Sequence, residues 1–400
     1  MVPPPQLHLA VALDGTGWHP GAWREDEASP AALFSPGYWV DLVRQAEHGL
    51  LDFVSIEDSL AIQSRRRGRV DDRTDQVRGR LDAVLVAARV APPTSAIGIM
   101  PVATTTHTEP FNVSRAIATL DFVSNGRAGV QARVSATALE ARQFGRRRVG
   151  DPTDAALPDA GPMDSIRDLF AEAADFVDVV RRLWDSWEDD AEIRDAATGR
   201  FIDRDKLHAI DFEGRWFSVK GPSVTPRPPQ GQPLVSILAH VPLAFELAAR
   251  SADLVFTTPV DSEDARGLVD TVRQHEQAVS RSGPPLRIFA DLVVFLDDDA
   301  PTARARKDRL DAADGRVTRY DAAVFTGTPA ELAEVLLEWQ AAGIEGFRLR
   351  PGAIPHDLRH ITHGVVRALQ DRSAFRTRYE ESTLRARLGL PQMRNRYATP

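Results

Sequence analysis

Residues 96–135, AIGIMPVATTTHTEPFNVSRAIATLDFVSNGRAGVQARVS, decide how the rest of the chain is read. Residues 96–103 form an apolar run of strand length, and Thr104, Thr105 and Thr106 follow at once. Pro110 suits the first turn of a helix, because the N–H it lacks has no partner there anyway. Ile117, Leu120, Phe122 and Val123 mark an apolar stripe on that helix. Ser124-Asn125-Gly126 ends it with residues that tolerate a left-handed cap, and residues 129–134 return as a strand. The unit is βαβ, and its right-handed crossover makes the two strands parallel.

The same alternation recurs on both sides. Toward the N-terminus, residues 7–13 read as a strand, 36–50 as a helix, 53–56 as a second strand and 81–90 as a helix. The arginine-rich residues 60–78 between them read as a surface loop. Toward the C-terminus, residues 135–163 read as an irregular excursion punctuated by glycine and proline. A long helix follows, with Ile166, Leu169, Phe170, Ala173, Val177, Val180, Leu183, Trp184 and Trp187 at helical spacing. Residues 188–232 are too long for a simple connection and read as an insertion. Strands at 234–239, 254–258, 287–296 and 346–349 complete the set, each followed by a helix. Residues 321–326 read as a link before the helix that opens on Thr328-Pro-Ala-Glu331, a capping-box pattern. From Asp371 onward the arginine-rich chain is expected to wrap the surface.

Nearly continuous apolar strands are expected where helices cover both faces of a parallel sheet. The pattern predicts one α/β domain over residues 1–400: a closed (β/α)8 TIM barrel with an insertion at about 188–232 and a C-terminal extension. A doubly wound open sheet is the alternative. Against it, Asp14-Gly-Thr-Gly-Trp-His after the first strand lacks the third glycine of a dinucleotide loop.

Composition narrows the function. The 400 residues are 43% hydrophobic and 26% charged, with a net charge of −8, so no overall bias draws the chain to nucleic acid or to an anionic membrane. Cysteine is absent, which excludes disulfides, thiolate metal sites and cysteine nucleophiles. No apolar run approaches the roughly 18 residues of a membrane helix, and no signal peptide is recognised, so a cytoplasmic protein is expected.

Barrel enzymes work at the C-terminal ends of their strands. Here those positions hold His19, then Glu57 and Asp58, then Thr104, Thr105, Thr106 and His107. Gln131 and Ser135 belong to the fourth strand, His240 follows the fifth, and Arg348 and Arg350 lie in the eighth. No nucleophile elbow, zinc-protease helix, phosphate loop or EF-hand loop appears. His356, His360 and His363 recur at helical spacing but read as a solvated or cap-related face, since Asp357 is the only carboxylate near them in sequence. A polar rim without a nucleophile or metal suits chemistry that belongs to a bound cofactor.

The opening stretch resembles the luciferase-like flavin-dependent monooxygenases, in particular the branch of nitrilotriacetate and dibenzothiophene-sulfone monooxygenases. The resemblance rests on Thr104-Thr-Thr-His-Thr-Glu109-Pro110-Phe111 and Ala118-Thr-Leu-Asp-Phe-Val-Ser-Asn-Gly-Arg-Ala-Gly129. His19-Pro-Gly-Ala-Trp-Arg24, Asp52-Phe-Val-Ser-Ile-Glu-Asp58, Val180-Arg-Arg-Leu-Trp-Asp-Ser-Trp187 and Leu388-Gly-Leu-Pro-Gln-Met-Arg-Asn-Arg-Tyr397 extend it over the whole chain. It implies FMN at the C-terminal face, reduced by a separate NAD(P)H:flavin reductase, and oxygen chemistry on a small organic substrate. It also implies a homodimer or higher homo-oligomer, and a deazaflavin is the alternative cofactor. Asp58, Thr104, Thr105, Gln131, Ser135 and His240 are the implied cofactor-binding residues, and His19 the implied catalytic residue.

The chain departs from the family at the phosphate of FMN. A His and a Tyr of the family fall on Ile166 and Phe170, and a Ser falls on Val241. An apolar wall does not offset the desolvation of a dianion, so Arg133 and His240 are expected as substitute donors. The other consequence of these changes is a flavin-free or weakly flavin-binding paralogue, serving as a non-catalytic partner or ligand-binding subunit.

Overall fold

The computed structural model describes residues 6–64, 66, 69–149 and 165–398. Eight parallel strands close into a barrel: β1 His8–Leu13, β2 Phe53–Ile56, β3 Gly98–Thr104, β4 Gly129–Arg133, β5 Leu234–Leu238, β6 Leu254–Thr257, β7 Arg287–Leu296 and β8 Gly346–Pro351. Each pairs with its neighbour, and β8 returns to β1 with Leu349 opposite Val11. The expected TIM barrel is what forms.

Helices α1 Pro36–His48, α2 Ala83–Val90, α3 Pro110–Val123, α4 Ala138–Phe144, α5 Ile166–Asp185, α6 Pro242–Ser251, α7 Ser262–Ala278, α8 Ala300–Asp314 and α9 Pro329–Ala341 surround it. Their starts are written locally. Asp82 accepts from Leu85 N at 2.9 Å to cap α2, and Thr328 and Glu331 close the expected capping box on α9. After β8, α10 His356–Arg359 runs through a π-helical turn, His360–Val365, into α11 Val366–Gln370. The outward strand faces and inward helix faces form the main core, with Val54, Ile99, Val130, Val235 and Leu349 among its buried members.

Three segments differ from expectation. Within residues 135–163, the described part contains α4, capped by Thr137, which accepts from Glu140 N; residues 150–164 lie outside the described residues. The link at 321–326 is a strand, Ala323–Gly327, paired with the second half of β7 from Leu292 to Leu296. The insertion carries two small antiparallel hairpins, Glu192–Asp195 with Arg200–Ile202 and Phe212–Glu213 with Ser218–Val219.

The C-terminal segment does more than wrap the surface. A short helix, α12 Leu384–Arg387, brings Leu384, Leu388 and Leu390 against Phe53, Phe256 and Phe289 and plugs the N-terminal end of the barrel. The arginines on the same segment hold the plug. Arg376 pairs with Asp52 at 2.5 Å, Arg385 with Asp253 at 3.0 Å, and Arg387 donates to the Asp52 carbonyl at 3.0 Å.

Candidate active site at the barrel mouth

Residues two apart on a strand face the same side, so Arg348 and Arg350 of β8 both point into the barrel. The Arg348 guanidinium lies 3.7 Å over the Phe256 ring, directly above the apolar floor. It donates to Asp291 of β7 at 2.8 and 2.5 Å, to Gln131 Oε1 at 2.5 Å and to Ser55 Oγ at 3.3 Å. Arg350 binds the same Asp291 carboxylate, donates to Asp321 at 2.6 Å and stacks on Trp18 at 4.4 Å. The barrel therefore has an apolar floor, a buried ionic layer, and an aromatic lid over part of that layer.

Glu57, just past β2, lies 3.5 Å from Arg348, and its Oε1 is buried without a hydrogen-bond partner. Burial pushes its carboxyl above the usual range, against the pull of Arg348 and Arg350. Asp321 goes the other way: its burial is outweighed by His240 and Arg350, which hold it well below the usual range. Two carboxylates at one mouth are thus driven apart in acidity by their surroundings.

The threonine turn forms a second network. Thr104 Oγ1 accepts from Arg133 Nε at 3.0 Å and Nη2 at 2.8 Å, and Arg133 pairs with Glu140 of α4 at 2.7 Å. Glu140 also accepts from Ser59 Oγ at 2.8 Å. Thr105 Oγ1 donates to the Arg133 carbonyl at 3.2 Å, and Thr106 Oγ1 accepts from Ser135 N at 2.9 Å. Thr104, Thr105 and Ser135 are therefore brought together, with Gln131 in the ionic layer. Next to this turn, His107 stacks on Phe144 at 5.1 Å, its Nε2 buried and unpartnered, in a cleft of about 340 Å³ that Trp216 also lines.

Of the other expected residues, Asp58 and His240 border these networks and His19 lies outside them. Asp58 accepts from Ser59 N at 2.7 Å and from Ala83 N at 3.3 Å, fastening the start of α2. His240 is exposed at the rim, 3.0 Å from Thr258 Oγ1 and 3.4 Å from Asp321. His19 is only 1% exposed. Its Nδ1 accepts from Gly21 N at 3.0 Å, which leaves the proton on Nε2, 3.2 Å from Asp311 and 3.1 Å from Thr318. It fastens the loop after β1 to α8. Ile166 and Val241 are 58% and 46% exposed, and Phe170 packs against the main core. Arg133 directs Nε and Nη2 to Thr104 and Glu140.

Sequence reasoning missed Asp291, Trp18, Asp321 and Glu140. Asp291 had a usable signal: after Arg287 it is the only charge in the apolar run RIFADLVVFL. Glu140 sits three residues after Thr137, the spacing of a helix start.

A model described as luciferase-like monooxygenase matches residues 16–346 of this barrel. The chain belongs to the luciferase-like monooxygenase family. It is 29% identical to N-acetyl-S-(2-succino)cysteine monooxygenase of Bacillus subtilis (strain 168), over 98% of both chains. It is 29% identical to nitrilotriacetate monooxygenase component A of Aminobacter aminovorans, over 99% of both. Among solved structures, EDTA monooxygenase from Chelativorans sp. BNC1 superposes with a TM-score of 0.81 at 22% identity, covering 97% of this chain and 99% of that one. Within the family fold, the threonine turn lies at the end of the barrel where such enzymes carry their sites, and the ionic layer lies beneath that end.

Proposed function

We propose that this chain is the oxygenating component of a two-component FMN-dependent monooxygenase. It uses reduced flavin and O2 on a small organic substrate, and a separate NAD(P)H:flavin reductase supplies the flavin. Glu57 carries the reading. Its buried Oε1, 3.5 Å from Arg348, accepts no hydrogen bond, and a flavin edge, with alternating N–H and carbonyl groups, supplies one. Thr104 fits the same ligand: its oxygen accepts from Arg133, which leaves its O–H free to donate. Gln131 fixes Arg348 beside Glu57, and Thr105 bonds the Arg133 carbonyl next to Thr104.

Bound there, the cofactor supplies the activation of O2 that no amino-acid side chain provides. The chain contributes orientation and charge. Arg348 and Arg350 form a fixed positive layer beneath the mouth, offset by Asp291 and Asp321, in a place shielded from water. His240, exposed at the rim beside Asp321, is the group placed to carry a proton in or out at Nε2. His19, with both ring nitrogens occupied, keeps its loop closed.

The resemblance puts Ile166, Phe170 and Val241 at the phosphate of the flavin, and Arg133 is paired with Glu140. Three charge-assisted hydrogen bonds would favour FMN over riboflavin by roughly a thousandfold or more. Without them the preference is expected to fall to about tenfold or less. Titration of the full-length protein with FMN, riboflavin and a 5-deazaflavin, oxidised and anaerobically reduced, tests this by fluorescence and calorimetry. Saturable flavin binding tighter than about 10⁻⁴ M, roughly 5.5 kcal/mol, supports the reading. Binding of no flavin would sink it in favour of a non-catalytic ligand-binding subunit, and binding of the deazaflavin alone would reassign the cofactor. A homo-oligomer belongs to the same proposal and is read from light scattering.

A further inference from the structure

His356 and His360 have a different acidic neighbour from the one their sequence suggests. Asp357 is fully buried and committed: it accepts from Leu296 N at 2.8 Å and Ala353 N at 2.7 Å and pairs with Arg306. Asp297, the residue after β7, instead brings Oδ2 to 3.3 Å from His356 Nε2. Asp298 Oδ1 lies 3.9 Å from His360 Nε2. The two imidazoles sit one turn apart with ring centroids 4.6 Å apart. His360 also opens the π-helical turn, a feature frequent at functional sites.

We propose that Asp297, His356 and His360 form a binding site for a divalent first-row transition-metal ion, zinc above all. Asp298 or water completes its coordination. Zinc–nitrogen and zinc–oxygen bonds of about 2.0–2.2 Å give a tetrahedron whose edges are about 3.4 Å. The Asp297–His356 separation is already such an edge. One ligand atom from each residue lies within 4.8 Å of the others, so the widest gap closes by about 1.4 Å, within the reach of side-chain rotation.

Two further observations favour the ion. His360 Nε2 is buried with no hydrogen-bond partner, a costly state that a metal bond relieves. The donor set, two imidazoles and a carboxylate, suits zinc and its neighbours, whereas calcium and magnesium take oxygen ligands. Two contacts oppose it. His356 Nε2 lies 3.1 Å from the Leu296 carbonyl and must exchange it for the metal. Arg306 approaches Asp297 at 3.5 Å, but its main partners are Asp357 and, at 2.9 Å, the Leu296 carbonyl. Asp297 and Asp298 together outweigh that one cation. The site fastens α10 to the end of β7 and uses none of the residues assigned to flavin.

The test uses full-length protein stripped with EDTA and desalted, then titrated with zinc chloride by calorimetry. Cobalt chloride serves as the spectroscopic probe. One equivalent of zinc, a rise in Tm on its addition, and the visible bands of tetrahedral cobalt are expected. Asp297→Asn and His360→Ala should each lose at least about tenfold in affinity, and His363→Ala should bind as the parent does. His360→Asn keeps the polar volume if the alanine variant folds poorly. Sub-stoichiometric zinc, or zinc binding unchanged in both Asp297→Asn and His360→Asn, overturns the site. Magnesium raising Tm as much as zinc overturns its metal class.

Discussion

Asp291 binds two guanidinium groups inside the barrel with nothing else of its charge on that strand to share them. Removing the carboxylate charge that Arg348 and Arg350 share leaves Arg348 buried with only Glu57, at 3.5 Å, as a counter-charge, and breaking a buried pair costs about 3–5 kcal/mol. Asp291→Asn is therefore expected to lower unfolding stability by that amount in urea, and a loss below about 1 kcal/mol would show that Arg348 and Arg350 relax onto other acceptors. Asp52 gives a pH-dependent counterpart. It is fully buried, and although burial alone would raise its carboxyl, Arg376 and His8 bring it from 3.8 down to about 2. Because the folded value is the lower one, the contribution is present above about pH 4 and is lost as pH falls toward 2. A shift of this size corresponds to roughly 2–3 kcal/mol. Asp52→Asn should be less stable than the parent by about that much at pH 7, with the gap closing between pH 4 and 2 in urea midpoints. Arg350 and Glu57 were legible as candidates because each lies near a strand's C-terminal end. Asp291 lies in mid-strand, where the apolar run reads as core. The Asp311 and Thr318 partners of His19 come from about 300 residues away, and nothing local in the sequence announces such a contact.

At the scale of elements, the strands and most helices were readable because each carries its own start signal. The helix α9 has proline at its first turn and the Thr328/Glu331 box. Thr328→Ala should cost about 1 kcal/mol of stability in urea unfolding with the fold unchanged by circular dichroism. A cost near zero would mean that packing of Leu332 and Leu336 alone fixes the helix start. The helix α4 was hidden because its seven residues lie within a glycine- and proline-punctuated stretch. The strand Ala323–Gly327 was hidden because its half-exposed residues lack the continuous apolar run of a barrel strand. It borrows its hydrogen bonds from the far half of β7, beyond the point where β6 ends. Such pairing depends on strand lengths in space, which periodicity does not encode.

At the scale of the whole molecule, closure leaves the N-terminal end of the barrel open, and the chain fills it with its own tail. An arginine-rich tail reads as surface in sequence, since charge and exposure usually go together. Here the arginines face carboxylates and carbonyls at the strand starts, and the leucines between them face the barrel interior. Leu384 is fully buried against Phe53 and Met100, and a Cβ at Gly98 would come within 2.6 Å of it. The floor is therefore built around that side chain. Leu384→Ala is expected to lose about 2–5 kcal/mol, the range for buried leucine truncations. Removing residues 384–400 should abolish cooperative unfolding, because the apolar floor beneath Arg348 would then meet water. A tail that only wrapped the surface would give a different result: a cost near 0.5 kcal/mol or less for Leu384→Ala and a folded truncation product. Thermal unfolding followed by near-ultraviolet circular dichroism distinguishes the two. Flavin titration of Leu384→Ala at a temperature where it stays folded then separates the floor from the mouth. Unchanged affinity is expected, since the plug touches only the end of the barrel opposite the site.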